Sequence, residues 1–287
     1  MNGWLIYAGQ DARRNKSFID WMMEEATCAG LDLTFVSKED LTIGVKNGNS
    51  VVLFQGKDVP LPSFAIIRTI DPMLTLQLEA CGIETFNSSR ISEICNDKAK
   101  THQYLAPHSI PMMDTFFIKG ADFPPANPPL PYPYIVKRVD SRGGRDVHWI
   151  DSIKRATELA DRLKEHNLIL QQPAPVLGKD LRVFVVGDEI VAAILRESNS
   201  DFKANYTLGG SARLYSLSDE EKNHIHRIMK LFSFGMVGID FLFDEEGNLL
   251  LNEIEDVVGS RTLSAKSSIN IVEKYMNHIA HVLKNSV

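Results

Sequence analysis

Residues 181–196, LRVFVVGDEIVAAILR, restrict the fold more than any other stretch of the chain. Two runs rich in β-branched residues flank Gly187–Asp188, and such runs around a two-residue turn read as a tight antiparallel hairpin. About that turn Arg182 lies near Ala193 and Arg196 near Lys179, so both arginines gather at the open end. A second hairpin follows in residues 236–255, MVGIDFLFDEEGNLLLNEIE, with its turn centred on Glu246. A loop of that length pairs Phe243 with about Leu249 and brings Asp240 opposite Asn252 or Glu253. Side chains alternate faces along a strand, so Glu253 and Glu255 point one way and Ile254 the other. In the register that pairs Asp240 with Glu253, three carboxylates share one face within roughly 5–8 Å.

Like charges buried together are costly without counter-charge. A hard divalent cation, held by carboxylates while phosphate oxygens and water complete its shell, resolves the conflict. A wet outer sheet face with lysines nearby also resolves it, and one register slip separates the two readings. Residues 136–147, VKRVDSRGGRDV, offer a phosphate site: Lys137 on a strand, then a loop with paired glycines where backbone N–H groups can approach phosphate oxygens. An ordinary turn is the plain alternative, since neither GxxxxGK[ST] nor a GxGxxG after a strand occurs. Lys98, Arg182 and Arg196 complete a cationic set suited to charge on a transferring phosphoryl group.

The first third of the chain alternates short apolar runs with helical patterns. GWLIYAG, LDLTFV, SVVLFQG, FAIIR and IETFN read as strands. NKSFIDWMMEEATCAG reads as a helix with Phe18, Met22 and Ala26 on one face and Gly30 as its stop, and PMLTLQLEACG as another. This alternation predicts a small doubly wound sheet. SEICNDKAKTHQYLAPHSIP reads as one helix closed by Pro107 and Pro111, and the proline-rich run from Pro124 to Pro133 as a stiff connection rather than a partner's PxxP ligand. DSIKRATELADRLKEH predicts an amphipathic helix capped by Asp151, with Ile153, Ala156, Ala160 and Leu163 inward. SLSDEEKNHIHRIMKLF predicts a helix opened by a Ser218–Glu221 capping box, and a last helix begins near Asn270.

Composition excludes several classes. A net charge of −6 gives no basic field for nucleic acid. No apolar run approaches the ~18 residues that a membrane helix needs. The first apolar run precedes its basic residues, the wrong order for a signal peptide. Cys28, Cys81 and Cys95 are too scattered for a disulfide framework or a metal site. The expectation is a cytoplasmic protein with reduced thiols.

The succession NDKAKTHQYLAPHSIPMMDT, PYIVKRVDSRGGRDV, LILQQPAPVLGKDLRVFVVGDEIVAAILR, FKANYTLGG and VGIDFLFDEEGNLLLNEIEDVVGS resembles the ATP-grasp superfamily over residues 94–263. Within it the chain looks most like the RimK-type carboxylate–amine ligases, of the alpha-L-glutamate ligase kind. The resemblance implies an α/β (α+β) ATP-grasp fold in three parts. A doubly wound, Rossmann-like pre-ATP-grasp domain would span 1–95, a central subdomain with the glycine-rich loop 96–170, and a C-terminal subdomain with hinge, metal site and final helix 171–287. The last two would sandwich ATP.

Carried over by position, the resemblance implies that Lys98 and Lys137 contact ATP phosphates beneath a loop of Ser141, Arg142, Gly143 and Gly144. Gln171, Gln172, Pro173 and Ala174 would be the hinge reading the adenine edge, and Asp180 would sit near the ribose or orient the hinge. Arg182, Arg196 and Asn205 would be catalytic, and Asp240, Glu253 and Glu255 would bind two magnesium ions, with manganese as a substitute. Arg68, Ser260 and Arg261 border the expected site as substrate-binding candidates, with salt-bridging at a domain interface as the alternative for Arg68. The family usually places Asn at the last metal position, where this chain has Glu255, and an acidic or aromatic residue in the hinge, where it has Gln171-Gln172-Pro173. The implied reaction phosphorylates a carboxylate, from a small molecule or a peptide, and joins it to an amine such as that of glutamate, releasing ADP and phosphate. A small-molecule kinase or a nucleotide-binding regulatory pseudoenzyme on the same fold are the alternatives. Association into a dimer or tetramer is implied by the resemblance alone.

Overall fold

The computed structural model describes residues 1–144, 146–198 and 210–285. The N-terminal part contains strand β1 (Asn2–Tyr7), helices α1 (Gly9–Arg14) and α2 (Lys16–Cys28), and strands β2 (Asp32–Ser37), β3 (Leu41–Lys46), β4 (Asn49–Phe54), β5 (Lys57–Asp58) and β6 (Phe64–Ile67). Helix α3 (Pro72–Ala80) and strand β7 (Glu84–Phe86) complete it. A parallel sheet runs in the order β2-β1-β6-β7, as the βα alternation predicts. The expected strand at residues 50–56 is not in this sheet: β3, β4 and β5 form a separate antiparallel sheet. Asn47 and Gly48, both with positive φ (52° and 79°), make the β3–β4 turn. An Asn-Gly pair tolerates that conformation and is a strong hairpin signal. On α2 the buried residues are Ile19, Met22 and Ala26, while Phe18 is half-buried.

Two helices, α4 (Ser89–Cys95) and α5 (Lys98–Leu105), replace the single one expected from residue 92 onward. The break has a local cause. Asp97 accepts a hydrogen bond from the Lys100 N–H at 3.0 Å, which makes it the N-cap of a new helix and sets Lys98 in its first turn. Strands β8 (Thr115–Lys119), β9 (Tyr134–Arg138) and β10 (Val147–Ile150), helix α6 (Ile153–Leu163) and strand β11 (Asn167–Gln171) form a second, antiparallel layer ordered β10-β9-β11-β8. Ser152, not Asp151, caps α6, accepting from the Arg155 N–H. Ile153 is consequently exposed, and Ala156, Leu159 and Leu163 carry the buried face.

The third layer contains β12 (Lys179–Val186), β13 (Glu189–Glu197), β14 (Ser211–Leu214), helix α7 (Asp219–Met229), β15 (Met236–Phe243), β16 (Leu249–Glu255), α8 (Arg261–Lys266) and α9 (Ile271–Asn285). Its five strands lie in the order β14-β13-β12-β15-β16. Helix α7 opens with the expected capping box. One face of this sheet (Phe184, Val186, Ile194, Met236) packs with α9 and the N-terminal parallel sheet. The other (Leu181, Val183, Leu195, Ile239, Phe241) packs with α4, α5 and α7. Burying such aliphatic and aromatic side chains on both faces contributes roughly 1.5–3 kcal/mol each. The face that meets α9 continues past the end of its cover, and there its residues turn charged: Asp180, Arg182, Arg196 and Asp240. No helix among the described residues is long and apolar enough to cross a membrane.

Candidate active site

A cavity of about 690 Å³ lies between the β8–β11 layer and the β12–β16 layer. Two β-bulges set the register of the strands that line it. The β12–β13 turn is the expected Gly187–Asp188, but a bulge at Phe184/Val185 moves the pairing by one residue. Arg182 stands opposite Ile194 rather than Ala193, and Arg196 opposite Asp180 rather than Lys179. In β15–β16, Phe243 pairs with Leu249 and Asp240 with Glu253, one of the two registers expected. A bulge between Asp240 and Phe241 leaves Asn252 without an opposing residue. Two residues facing one at a bulge disturb strict alternation, and Asn252 and Glu253 both line the cavity.

The three acids come together. Asp240, Glu253 and Glu255 can each offer a carboxylate oxygen within 4.8 Å of the others. Each is also answered by a cation. Arg182 grips Asp240 with two hydrogen bonds, Nε to Oδ1 at 2.7 Å and Nη2 to Oδ2 at 2.6 Å, and reaches Glu255 Oε1 at 3.0 Å. Arg196 bonds Asp240 Oδ2 at 3.0 Å and pairs with Asp180. Lys98 reaches Glu253 Oε2 at 2.7 Å and donates to the Ser141 carbonyl at 2.6 Å. The wet outer face is thereby excluded, because Asp240 is 2 % exposed. Burial alone would raise the Asp240 carboxyl, but Arg182 and Arg196 outweigh it and hold the group at about 2. Asp180 has only a share of Arg196, so burial and the nearby Asp240 push it up to about 6. Glu253 is lowered, with Lys98 overcoming its burial.

The donor set fits a hard divalent cation, since all three ligands are carboxylate oxygens on one face. Where the family usually has Asn, Glu255 adds a negative charge, and the same Arg182 that grips Asp240 accepts it. Lys137 is buried and donates to Gln171 Oε1 at 2.6 Å and Asn252 Oδ1 at 2.9 Å. Burial pulls its ammonium down to about 8 against Glu253, with Lys98 adding to the fall. In the adjoining loop, Gly143 and Gly144 have φ of 65° and 71°, a conformation that glycine adopts without steric cost. Ser141, Gly143, Gly144, the expected hinge residues Gln171–Ala174 and Asp180 all line the cavity.

Other expected residues lie elsewhere. Asn205 falls outside the described residues. Arg68, Ser260 and Arg142 line a neighbouring cavity of about 440 Å³, and Arg261 lines both this cavity and the larger one. Among the described residues Arg68 has no salt-bridge partner; its Nη2 donates to the Val258 carbonyl at 2.6 Å. Arg142 bonds Asn96 Oδ1 at 2.7 Å and the Val257 carbonyl at 3.4 Å. The buried Asp256 accepts from Asn87 at 2.6 Å and from Asn96 at 3.2 Å. Asn252, Asn96, Arg14 and Asn15 were not among the site residues expected from the sequence. Arg14 and Asn15 join α1 to α2 and reach the larger cavity from the N-terminal part.

The model of the RimK-like ATP-grasp domain matches residues 95–279. A Mycoplasma pneumoniae protein, the uncharacterized homolog of MG011, is 30% identical over 290 residues, covering 99% of this chain and 95% of that protein. A probable alpha-L-glutamate ligase of Legionella pneumophila is 29% identical over 272 residues, covering 89% and 88%. Among solved structures, a RimK domain ATP-grasp protein from Sphaerobacter thermophilus superposes with a TM-score of 0.70 at 15% identity, covering 99% of this chain and 100% of that one. The family match spans well over half of the chain and contains the acid cluster, the glycine loop and the hinge alike: the chain belongs to the RimK-like ATP-grasp family, whose members are ATP-dependent carbon–nitrogen ligases.

Proposed function

We propose that the chain phosphorylates a substrate carboxylate with ATP and joins the resulting acyl phosphate to an amine, such as that of glutamate. The observation that carries this reading is the meeting, in one cleft, of three carboxylates with Lys98, Lys137, Arg182 and Arg196. Two magnesium ions at Asp240, Glu253 and Glu255, when bound, would offset phosphate charge. Lys137 and Lys98 would hold ATP phosphates, and the Ser141–Gly144 loop would cover them through its backbone N–H groups. In the hinge, the Gln172 N–H is already bonded to the Asp114 carbonyl at 3.0 Å, and Pro173 has none. Ala174 is then the residue to meet the adenine edge, with Ile135, Val147 and Leu242 as apolar walls.

The chemistry needs no nucleophile from the protein. A carboxylate oxygen attacks the γ-phosphorus, the bond to the β-phosphate oxygen breaks, and ADP leaves. The amine nitrogen then attacks the acyl carbon, the carbon–oxygen bond to phosphate breaks, and the ammonium proton passes to solvent or phosphate. Arg182 and Arg196 would stabilise charge on the transferring group and on the tetrahedral oxygen, where preorganised cations act most strongly. Support for an amino-acid amine comes from the name of the Legionella relative.

The test is a magnesium-dependent phosphate-release screen over carboxylate and amine pairs, followed by product mass. The expected product equals both substrates less one water. Phosphorylated acid without amide would point instead to a kinase. Glu253→Ala should lower turnover at least 100-fold, and equal turnover in this variant and the native chain would overturn the mechanism.

A further inference from the structure

The smaller cavity has a charge pattern unlike that of the cleft beside it. Three guanidiniums reach it from three separate elements: Arg68 after β6, Arg142 in the glycine loop and Arg261 at the start of α8. Their hydrogen-bond partners are all neutral oxygens. Arg68 donates to the Val258 carbonyl, Arg142 to Asn96 and the Val257 carbonyl, and Arg261 to the Arg14 carbonyl and Asn15 Oδ1. Among the described residues no carboxylate pairs with any of the three, and Asp11 is the single acid on the wall. Arg68 is 6% exposed, and its Nε is buried without a partner. A buried guanidinium without counter-charge is costly, and that cost is relieved when an anion arrives.

We propose that this chamber binds a dianionic substrate, with Arg68 as the residue that selects it. Three cations against one acid leave the wall with two positive charges uncompensated, which a ligand bearing two carboxylates or one phosphate monoester neutralises. Guanidinium forks suit both oxyanions. The chamber shares Asn15, Gly259 and Arg261 with the nucleotide cleft, so an anion anchored at Arg68 extends toward the reacting groups. Phe18, whose ring lies 5.4 Å from the Arg68 guanidinium carbon, stacks against that side chain and limits its swing. The inference rests on the ligase reading for which reaction the anion enters, but not for the binding itself.

Calorimetry on the full chain with magnesium and ADP present tests it, using glutarate, glycerol 3-phosphate and butyrate as probes. Glutarate or glycerol 3-phosphate should bind at least tenfold more tightly than butyrate, and the tighter of the two identifies the source of the charge. Arg68→Met should remove that preference while leaving ADP affinity within twofold. Arg68→Lys, which keeps the charge, should retain part of it, and Arg261→Met gives a second reading should Arg68→Met fail to fold. Equal affinity for all three probes, or an undiminished preference in Arg68→Met, overturns the proposal. Phosphate release is read separately. Dianion binding without turnover on any acid and amine pair removes the ligase reading alone, and turnover confined to monocarboxylates without a second anionic group removes the dianion chamber alone.

Discussion

The two adjoining cavities differ in how their charges are answered. In the larger cleft every acid on the wall has a protein cation: Asp240 has Arg182 and Arg196, Asp180 shares Arg196, Glu253 has Lys98, and Glu255 has Arg182. In the smaller chamber three guanidiniums rest on carbonyls and amides. The first arrangement is neutralised within the protein and would have to rearrange for a metal to be held by Asp240, because both of its oxygens are already taken by Arg182. The second waits for a charge from outside. Ligand-free stability and ligand affinity should therefore respond oppositely to substitutions in the two places.

The largest contrast is expected at Asp240. Asp240→Ala leaves two buried arginines with a lost partner and should cost about 3–5 kcal/mol of unfolding free energy, measured in urea without ligands. A loss below about 1 kcal/mol would break the picture of a self-neutralised cleft. Next comes Lys137→Met, where loss of the proposed phosphate contact should weaken ATP about 100-fold, roughly 2.7 kcal/mol, in a titration with magnesium. The pH dependence has a definite sign. The Lys137 ammonium lies near 8 in the folded chain and about 10.5 unfolded, so it binds fewer protons folded between those values. Its contribution to stability rises with pH across that window. Phosphate needs the charged form, so ATP affinity should fall as pH rises above 8, with proton uptake on binding. Asp240 has the same sign in a lower window: held near 2 against 3.8 unfolded, it stabilises fully above about 4, and that contribution fades as pH falls toward 2. The smallest effect is expected in the chamber, where Arg68→Met should change ligand-free stability by no more than about 1 kcal/mol, since it breaks no ion pair.

What the sequence disclosed and what it hid have physical reasons. Asp240 opposite Glu253 was legible as one of two registers, because loop length narrows the pairing and strand alternation puts the acids on one face. Asn252 was not, because alternation alone assigns it to the face opposite Glu253, and only the bulge turns it toward Lys137. The break between α4 and α5 hid inside a continuous helical pattern, although Asp97 carries the cap that makes it. The β3–β4 hairpin was signalled by Asn47–Gly48 in plain view and went unread because the surrounding βα alternation dominated. The chamber left no local mark. Arg68, Arg142 and Arg261 are distant in sequence, and no spacing rule connects residues that meet only through packing of three layers.

Three successive residues after β16 make long-range contacts in different directions. Asp256 accepts from Asn87 and Asn96, the Val257 carbonyl accepts from Arg142, and the Val258 carbonyl accepts from Arg68. Val258 also lies over Gly238, where an added Cβ would come within 2.6 Å of its Cγ2. A gain or loss of one residue here would misplace all of these contacts together. In evolutionary terms the segment 256–258 should keep a constant length among related chains, while the proline-rich stretch from Pro124 to Pro133 is free to grow or shrink. Position 238 should likewise stay glycine wherever a branched residue occupies position 258.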